Sequence, residues 1–111
     1  MRVLCWTILL SMSFLTLASA HPPMDIAIEV SGTQVNVTVD HPVGDPNTHY
    51  IDKIEVFSNG NKVAEQSFTK QDGNYQKTTF TINSLKKGDV LQVAANCNRF
   101  GNLKKNAVAG S

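Results

Sequence analysis

The fold of this chain is decided by residues 26–39, which read IAIEVSGTQVNVTV. On both sides of Ser31-Gly32, apolar side chains alternate with polar or small ones. A period of two residues is typical of a half-buried β-strand, and a glycine between two such runs favours a turn. We therefore expect two antiparallel strands that form a hairpin.

The same pattern continues along the chain, with almost no helical signal. Four further strands are predicted, at residues 50–58, 62–69, 78–83 and 90–97. Asn59-Gly60 predicts a type I′ hairpin turn between the first two of them. Short strands at this spacing predict an all-β fold, an immunoglobulin-like antiparallel β-sandwich of six or seven strands.

The third strand has apolar residues on both of its faces, with Ile51 and Phe57 on one and Ile54 and Val56 on the other. This pattern predicts a central strand. Two other segments are predicted to lie outside the sheets. Residues 70–76 read as a polar loop, and residues 106–111 read as a frayed tail.

The first 20 residues are typical of a secretory signal peptide. Arg2 provides a positive start, an apolar run follows to about Leu17, and Ala18-Ser19-Ala20 is a small-residue cleavage pattern. Cleavage after Ala20 would leave residues 21–111, enough for one small domain. We therefore expect an exported protein that is periplasmic or secreted.

The charge pattern argues against two classes of partner. Ten basic and nine acidic residues are spread along the chain, and Arg2 is lost with the signal peptide. No basic stripe or polybasic run remains, so nucleic-acid binding and membrane-surface binding have little support. No membrane insertion is expected after signal cleavage.

The chemistry-bearing residues of the mature chain are one thiol and three imidazoles: Cys97, His21, His41 and His49. Exported proteins normally pair their thiols, and Cys97 has no partner within the mature chain. Such a thiol is a liability, a bridge to a second chain in an oligomer, or a metal ligand. The three histidines favour the metal ligand.

Strand geometry allows these groups to meet. Side-chain alternation places Cys97 on the apolar face of the last clear strand, where that strand runs into a loop. His41 and His49 flank a single Pro- and Gly-rich loop, so we expect both to reach the same end of the sandwich. Imidazole and thiolate together suit iron, zinc or copper better than calcium or magnesium.

Two motifs resemble a known family. The segment from His41-Pro42 to Glu55 resembles the histidine-proline loop and following strand of the desulfoferrodoxin/superoxide reductase iron domain. The segment from Leu85 to Gly101, which contains Cys97, resembles its C-terminal cysteine motif. The resemblance extends over nearly the whole mature chain.

That resemblance implies a mononuclear, non-haem iron site. His21, His41 and His49 would be equatorial ligands, and Cys97 the axial ligand, with one position left for superoxide. The implied activity is one-electron reduction of superoxide to peroxide, which requires an electron donor that the sequence does not identify.

The chain departs from the family pattern at three places. Phe100 stands where the family has a histidine, three residues after the cysteine. No lysine precedes the first histidine, because Ala20 occupies that place. The loop between His41 and His49 is two residues longer than usual. The remaining three imidazoles and one thiolate could still hold a metal, with water or the α-amine of His21 filling the open place. Alternatively, the site is degenerate and its activity is weakened or lost.

Two alternatives remain open at this stage. Cleavage after Ala20 would expose the α-amine of His21, which together with its imidazole could chelate copper. The second alternative is a metal-free, immunoglobulin-like interaction module, in which Cys97 is a small buried apolar residue.

Overall fold

The computed structural model describes residues 22–110, so the predicted signal peptide and His21 lie outside the described residues. Seven β-strands and no helix occur between Pro22 and Gly110. The strands are β1 (Asp25–Ser31), β2 (Gln34–Asp40), β3 (Ile51–Ser58), β4 (Asn61–Ser67), β5 (Tyr75–Thr81), β6 (Val90–Cys97) and β7 (Asn102–Val108).

The strands form two antiparallel sheets. One has the order β1-β2-β5 and the other the order β4-β3-β6-β7. Both sheets contribute to a single apolar core, for example Ile26 and Val37 from the first and Ile54 and Val93 from the second. The predicted all-β sandwich is therefore confirmed. No helix in the described part of the chain is long and apolar enough to cross a membrane.

Both predicted hairpin turns are present. β1 and β2 pair in register from Asp25↔Asp40 to Ser31↔Gln34, and Gly32 has a φ of +60° between them. In the β3–β4 turn, Asn59 and Gly60 have φ values of +50° and +92°. A type I′ turn requires positive φ at both central residues, which explains this dipeptide.

The predicted position of β3 is confirmed, because it pairs with β4 on one side and β6 on the other. The predicted division of its faces is wrong. Ile51, Ile54 and Val56 are all buried, whereas Phe57 is only partly buried. The register shifts between Ile51 and Lys53, and such a bulge returns Ile51 to the core face.

The predicted C-terminal tail is also wrong. Residues 102–108 form the edge strand β7 along β6, and Ala109 is buried. The chain is held beyond the strand as well, because Gly88 N–H donates to Ala109 O and Ala109 N–H donates to Asp89 O. Of the described residues, only Gly110 follows this point.

The predicted polar loop 70–76 is partly wrong. β5 begins at Tyr75, and two side chains of the segment, Gln71 and Gln76, are buried. Both amides bond to main-chain groups, which is the usual reason that a buried polar side chain is tolerated.

One end of the sandwich collects the start of β1 and the β2–β3, β4–β5 and β6–β7 connections, and we call it the site end. Main-chain hydrogen bonds tie these segments together: Met24 N–H donates to Asp40 O, His41 N–H to Asn74 O, and Asn98 N–H to Tyr50 O. Side chains from distant parts of the sequence therefore meet at this end.

Candidate metal site

The structure brings together three of the four residues predicted as metal ligands. His41, His49 and Cys97 are all buried, and no two of their ligand atoms are more than 4.8 Å apart. His49 Nε2 lies 3.2 Å from Cys97 Sγ, and the two imidazole rings meet edge to face with centroids 4.9 Å apart. The fourth predicted ligand, His21, lies outside the described residues.

Cys97 occupies the last position of β6, and its side chain points into the core. The turn after β6 folds back over the sulfur, because Cys97 N–H donates to Gly101 O. Two main-chain N–H groups of this turn, from Arg99 and Phe100, donate to Sγ at 3.4 Å each. These contacts give the sulfur two hydrogen-bond donors and hold it at the end of β6.

His49 is held by the turn that precedes it. The carbonyl of Asp45 accepts from the N–H groups of Thr48 and His49, while the Asp45 carboxylate accepts from Asn47 N–H. Part of the predicted loop, from Asp45 to His49, therefore forms a short hydrogen-bonded turn. This turn fixes the main chain of His49 just before β3 begins.

Asn98 connects His49 to the cysteine turn. Its amide donates to Thr48 O and accepts from Tyr50 N–H, so it bonds the chain on both sides of His49. The residue follows Cys97 directly. One side chain therefore sets the position of His49 relative to the sulfur, and nothing in the sequence pattern identified it.

Gln71 holds His41. Its side-chain oxygen lies 2.9 Å from His41 Nδ1 and accepts from Ile51 N–H at 3.0 Å, and its nitrogen donates to His41 O and to Gly73 O. No sequence pattern signals this role, because a glutamine in a polar segment is ordinarily exposed.

One pair of donor atoms has the spacing expected of neighbouring ligands on a transition metal. A metal with M–N of about 2.1 Å and M–S of about 2.3 Å places two ligands at a right angle about 3.1 Å apart. The separation of His49 Nε2 and Cys97 Sγ is 3.2 Å. Two imidazoles and one sulfur without a carboxylate are a borderline-soft donor set, suited to iron, copper or zinc.

Phe100 and Pro22 border the site. Phe100, which replaces the histidine expected from the resemblance, is 54% exposed and donates its N–H group to the sulfur. Pro22 lies against Gly101: a Cβ placed on that glycine would be 2.9 Å from Pro22 Cβ. The start of the described chain therefore contacts the cysteine turn.

Comparison with known proteins gives one family. Residues 18–106 match the family model described as desulfoferrodoxin, a span of about four fifths of the chain that contains all four predicted ligands. No curated protein and no solved structure gives a significant match.

Proposed function

Since this chain belongs to the desulfoferrodoxin family, we propose that it is an exported, mononuclear non-haem iron protein of the superoxide reductase type. The observation that carries the proposal is the convergence of His41, His49 and Cys97 at one buried point. The family binds iron, and the donor set of these residues is compatible with iron.

His21 is proposed as a further ligand. It immediately precedes Pro22 in the sequence, and Pro22 contacts Gly101 in the turn that covers the sulfur. Consecutive Cα atoms are only about 3.8 Å apart, so this contact is favourable for a ligand at position 21. Cleavage after Ala20 would also give His21 a free α-amine, a second donor on the same residue.

Bound iron would supply one electron to superoxide, which would take two protons from solvent and leave as hydrogen peroxide, and a donor protein or small reductant would restore the electron. The chain's own residues prepare the site. Cys97 provides an electron-rich sulfur, which the N–H groups of Arg99 and Phe100 hold in place. Burial of His41 and Cys97 keeps bulk water away from the ligand atoms.

The site has one imidazole fewer than the family pattern, because position 100 is phenylalanine. Fewer neutral ligands lower the affinity for a divalent metal, so we propose that superoxide reduction is weaker than in a complete site. Iron binding and reductase activity are therefore separate parts of the proposal.

The test is the absorption spectrum of the mature protein loaded anaerobically with ferrous iron and then oxidised. A visible thiolate-to-iron charge-transfer band is expected, and Cys97→Ser should abolish it. Ala95→Ser is the matched control, because it places a hydroxyl on the same buried face of β6 two residues earlier. If the wild-type protein takes up no iron, the proposal is wrong.

Copper is the second candidate metal, because two histidines and one cysteine are also the donor set of blue-copper electron-transfer sites. Metal analysis after incubation with ferrous iron, zinc or cuprous ion under identical anaerobic conditions separates the candidates. A metal-free interaction module would retain none of them and would show no change in stability with a chelator.

A further inference from the structure

The side chain of Gln71 makes an unusually large number of hydrogen bonds for a residue in a loop. The residue is 4% exposed, and its amide group has four partners on three separate segments of the site end. Its main chain is also held, because Gln71 N–H donates to Pro46 O. The position of the amide is therefore defined by its surroundings.

The orientation of the amide follows from those partners. Ile51 N–H can only donate, so the side-chain oxygen must face it, at 3.0 Å. The carbonyls of His41 and Gly73 can only accept, so the side-chain nitrogen must face them, at 2.6 and 3.0 Å. A flipped amide would lose all three bonds.

The tautomer of His41 is fixed as a consequence. The atom 2.9 Å from His41 Nδ1 is the amide oxygen, which can only accept a hydrogen bond. Nδ1 must therefore carry a proton, and in a neutral imidazole the lone pair then resides on Nε2.

We propose that Gln71 is the positioning residue of the metal site, selecting the Nδ1–H tautomer of His41 so that Nε2 is the atom presented to the metal. This inference rests on the proposed function for its metal, but the tautomer itself is a property of the metal-free protein. Partners of this kind orient a ligand ring and set its tautomer, and their loss commonly lowers metal affinity about 10- to 100-fold.

Gln76 offers a matched control. It is also a buried glutamine at the site end, and its amide nitrogen donates to Ile51 O and Lys70 O. Gln71→Met and Gln76→Met each remove two amide-to-carbonyl hydrogen bonds from a buried glutamine. Only the first removes the acceptor that faces an imidazole.

The experiment is ¹⁵N NMR of the histidine rings in metal-free protein under mildly alkaline conditions. Wild type and Gln76→Met should both show His41 protonated at Nδ1, and Gln71→Met should shift the population towards the Nε2–H form. Ferrous-iron affinity, measured by chelator competition, should fall about 10- to 100-fold in Gln71→Met relative to Gln76→Met.

Gln71→Glu distinguishes positioning from simple support of the loop. It loses the same two amide donors as Gln71→Met but keeps an oxygen opposite Nδ1, so it should retain the wild-type tautomer even if it is less stable. Nε2–H as the major form in wild type, or the same tautomer in Gln71→Met as in Gln76→Met, would overturn the inference. If no variant binds iron, the proposed function fails while the tautomer measurement still decides the role of Gln71.

Discussion

At position 100 the chain carries a phenylalanine whose main chain and side chain behave differently. The N–H group donates to Cys97 Sγ at 3.4 Å, so the residue belongs to the sulfur's environment. The residue as a whole, by contrast, is 54% exposed, and it is not part of the apolar core. The side chain can therefore be changed at small cost while the hydrogen bond to the sulfur is kept.

Phe100→His should create an additional imidazole ligand at this position. We expect ferrous iron to bind about tenfold or more tightly, since even residues that only support a ligand contribute factors of about 10 to 100. Chelator competition measures the affinity, and the visible spectrum of the oxidised protein should change with it.

Phe100→Gln is the control for this substitution, because it introduces a polar side chain without an imidazole. Equal iron affinities and spectra for the two variants would show that the side chain at position 100 does not reach the metal. The free energy of unfolding of both variants should stay within about 0.5 kcal/mol of wild type, as for other exposed positions.

At the scale of structural elements, the turn between β6 and β7 links the cysteine to the start of the chain. Gly101 has a φ of +77°, a conformation that residues with a Cβ rarely adopt. The space beside it is filled by Pro22, whose Cβ would be 2.9 Å from an added Cβ. Glycine is thus required at position 101 for two reasons: the positive φ of the turn and the close contact with Pro22.

Gly101→Ala should therefore displace Pro22 and loosen the segment that carries the proposed ligand His21. Gly88→Ala is the matched control, since Gly88 has a φ of +92° but nothing within 4 Å of an added Cβ. Both variants should lose about 1 kcal/mol of stability from the backbone conformation alone.

The two glycine variants should differ in metal binding. We expect only Gly101→Ala to lower ferrous-iron affinity, by about tenfold, in chelator competition. An equal affinity in the two variants would mean that the contact between Pro22 and Gly101 has no influence on the site.

The strands differ in how well the sequence predicts them. Alternation predicted β1 and β2 well, because apolar and polar residues alternate on both sides of a clear turn, and apolar runs beside turns located β3 and β6. β7 was missed because only Leu103 and Ala107 of its seven residues are even partly buried. An edge strand is held by main-chain bonds, which leave no periodic pattern in the sequence.

The metal site was also predictable only in part: its ligands were predicted, but the residues that hold them were not. The order of His41, His49 and Cys97 along strands of known direction was enough to predict that they meet at one end. Gln71 and Asn98 act through hydrogen bonds to main-chain atoms far away in sequence, for example from Asn98 to Thr48. No local pattern encodes such contacts, so they required the structure.

At the scale of the whole molecule, the end opposite the site has its own hydrogen-bond network. The Asp89 carboxylate accepts from Lys86 N–H and from the Asn59 amide, and the Asn59 side chain in turn accepts from Val90 N–H. This network joins the β3–β4 turn to the β5–β6 connection. It stabilises the sandwich without contacting His41, His49 or Cys97.

These contacts make the stability of the molecule sensitive to acid. The hydrogen bond from Lys86 N–H, followed by that from Asn59, lowers the pKa of Asp89 below its ordinary value. A carboxyl with a lowered folded-state pKa contributes stability that is present above its unfolded pKa, about 3.9 for aspartate, and is lost as the pH falls through the folded value. The pKa of Asp25 is also lowered, because the Lys105 side chain donates a hydrogen bond to its carboxylate.

Asp89→Asn should therefore unfold at lower urea concentration than wild type at pH 7, and the difference should shrink as the pH falls below about 3.9. Asp25→Asn is the control: it removes an exposed ion pair with Lys105, so its effect should become smaller in about 1 M salt, which weakens the attraction between exposed charges. The effect of Asp89→Asn should persist in salt, because its first partners are a main-chain N–H and a neutral amide. Iron affinity should be unchanged in Asp89→Asn, since neither Lys86 nor Asn59, its hydrogen-bond partners, contacts a proposed metal ligand. A stability difference for Asp89→Asn that is constant from pH 7 to pH 2 would contradict this account of how the far end is held.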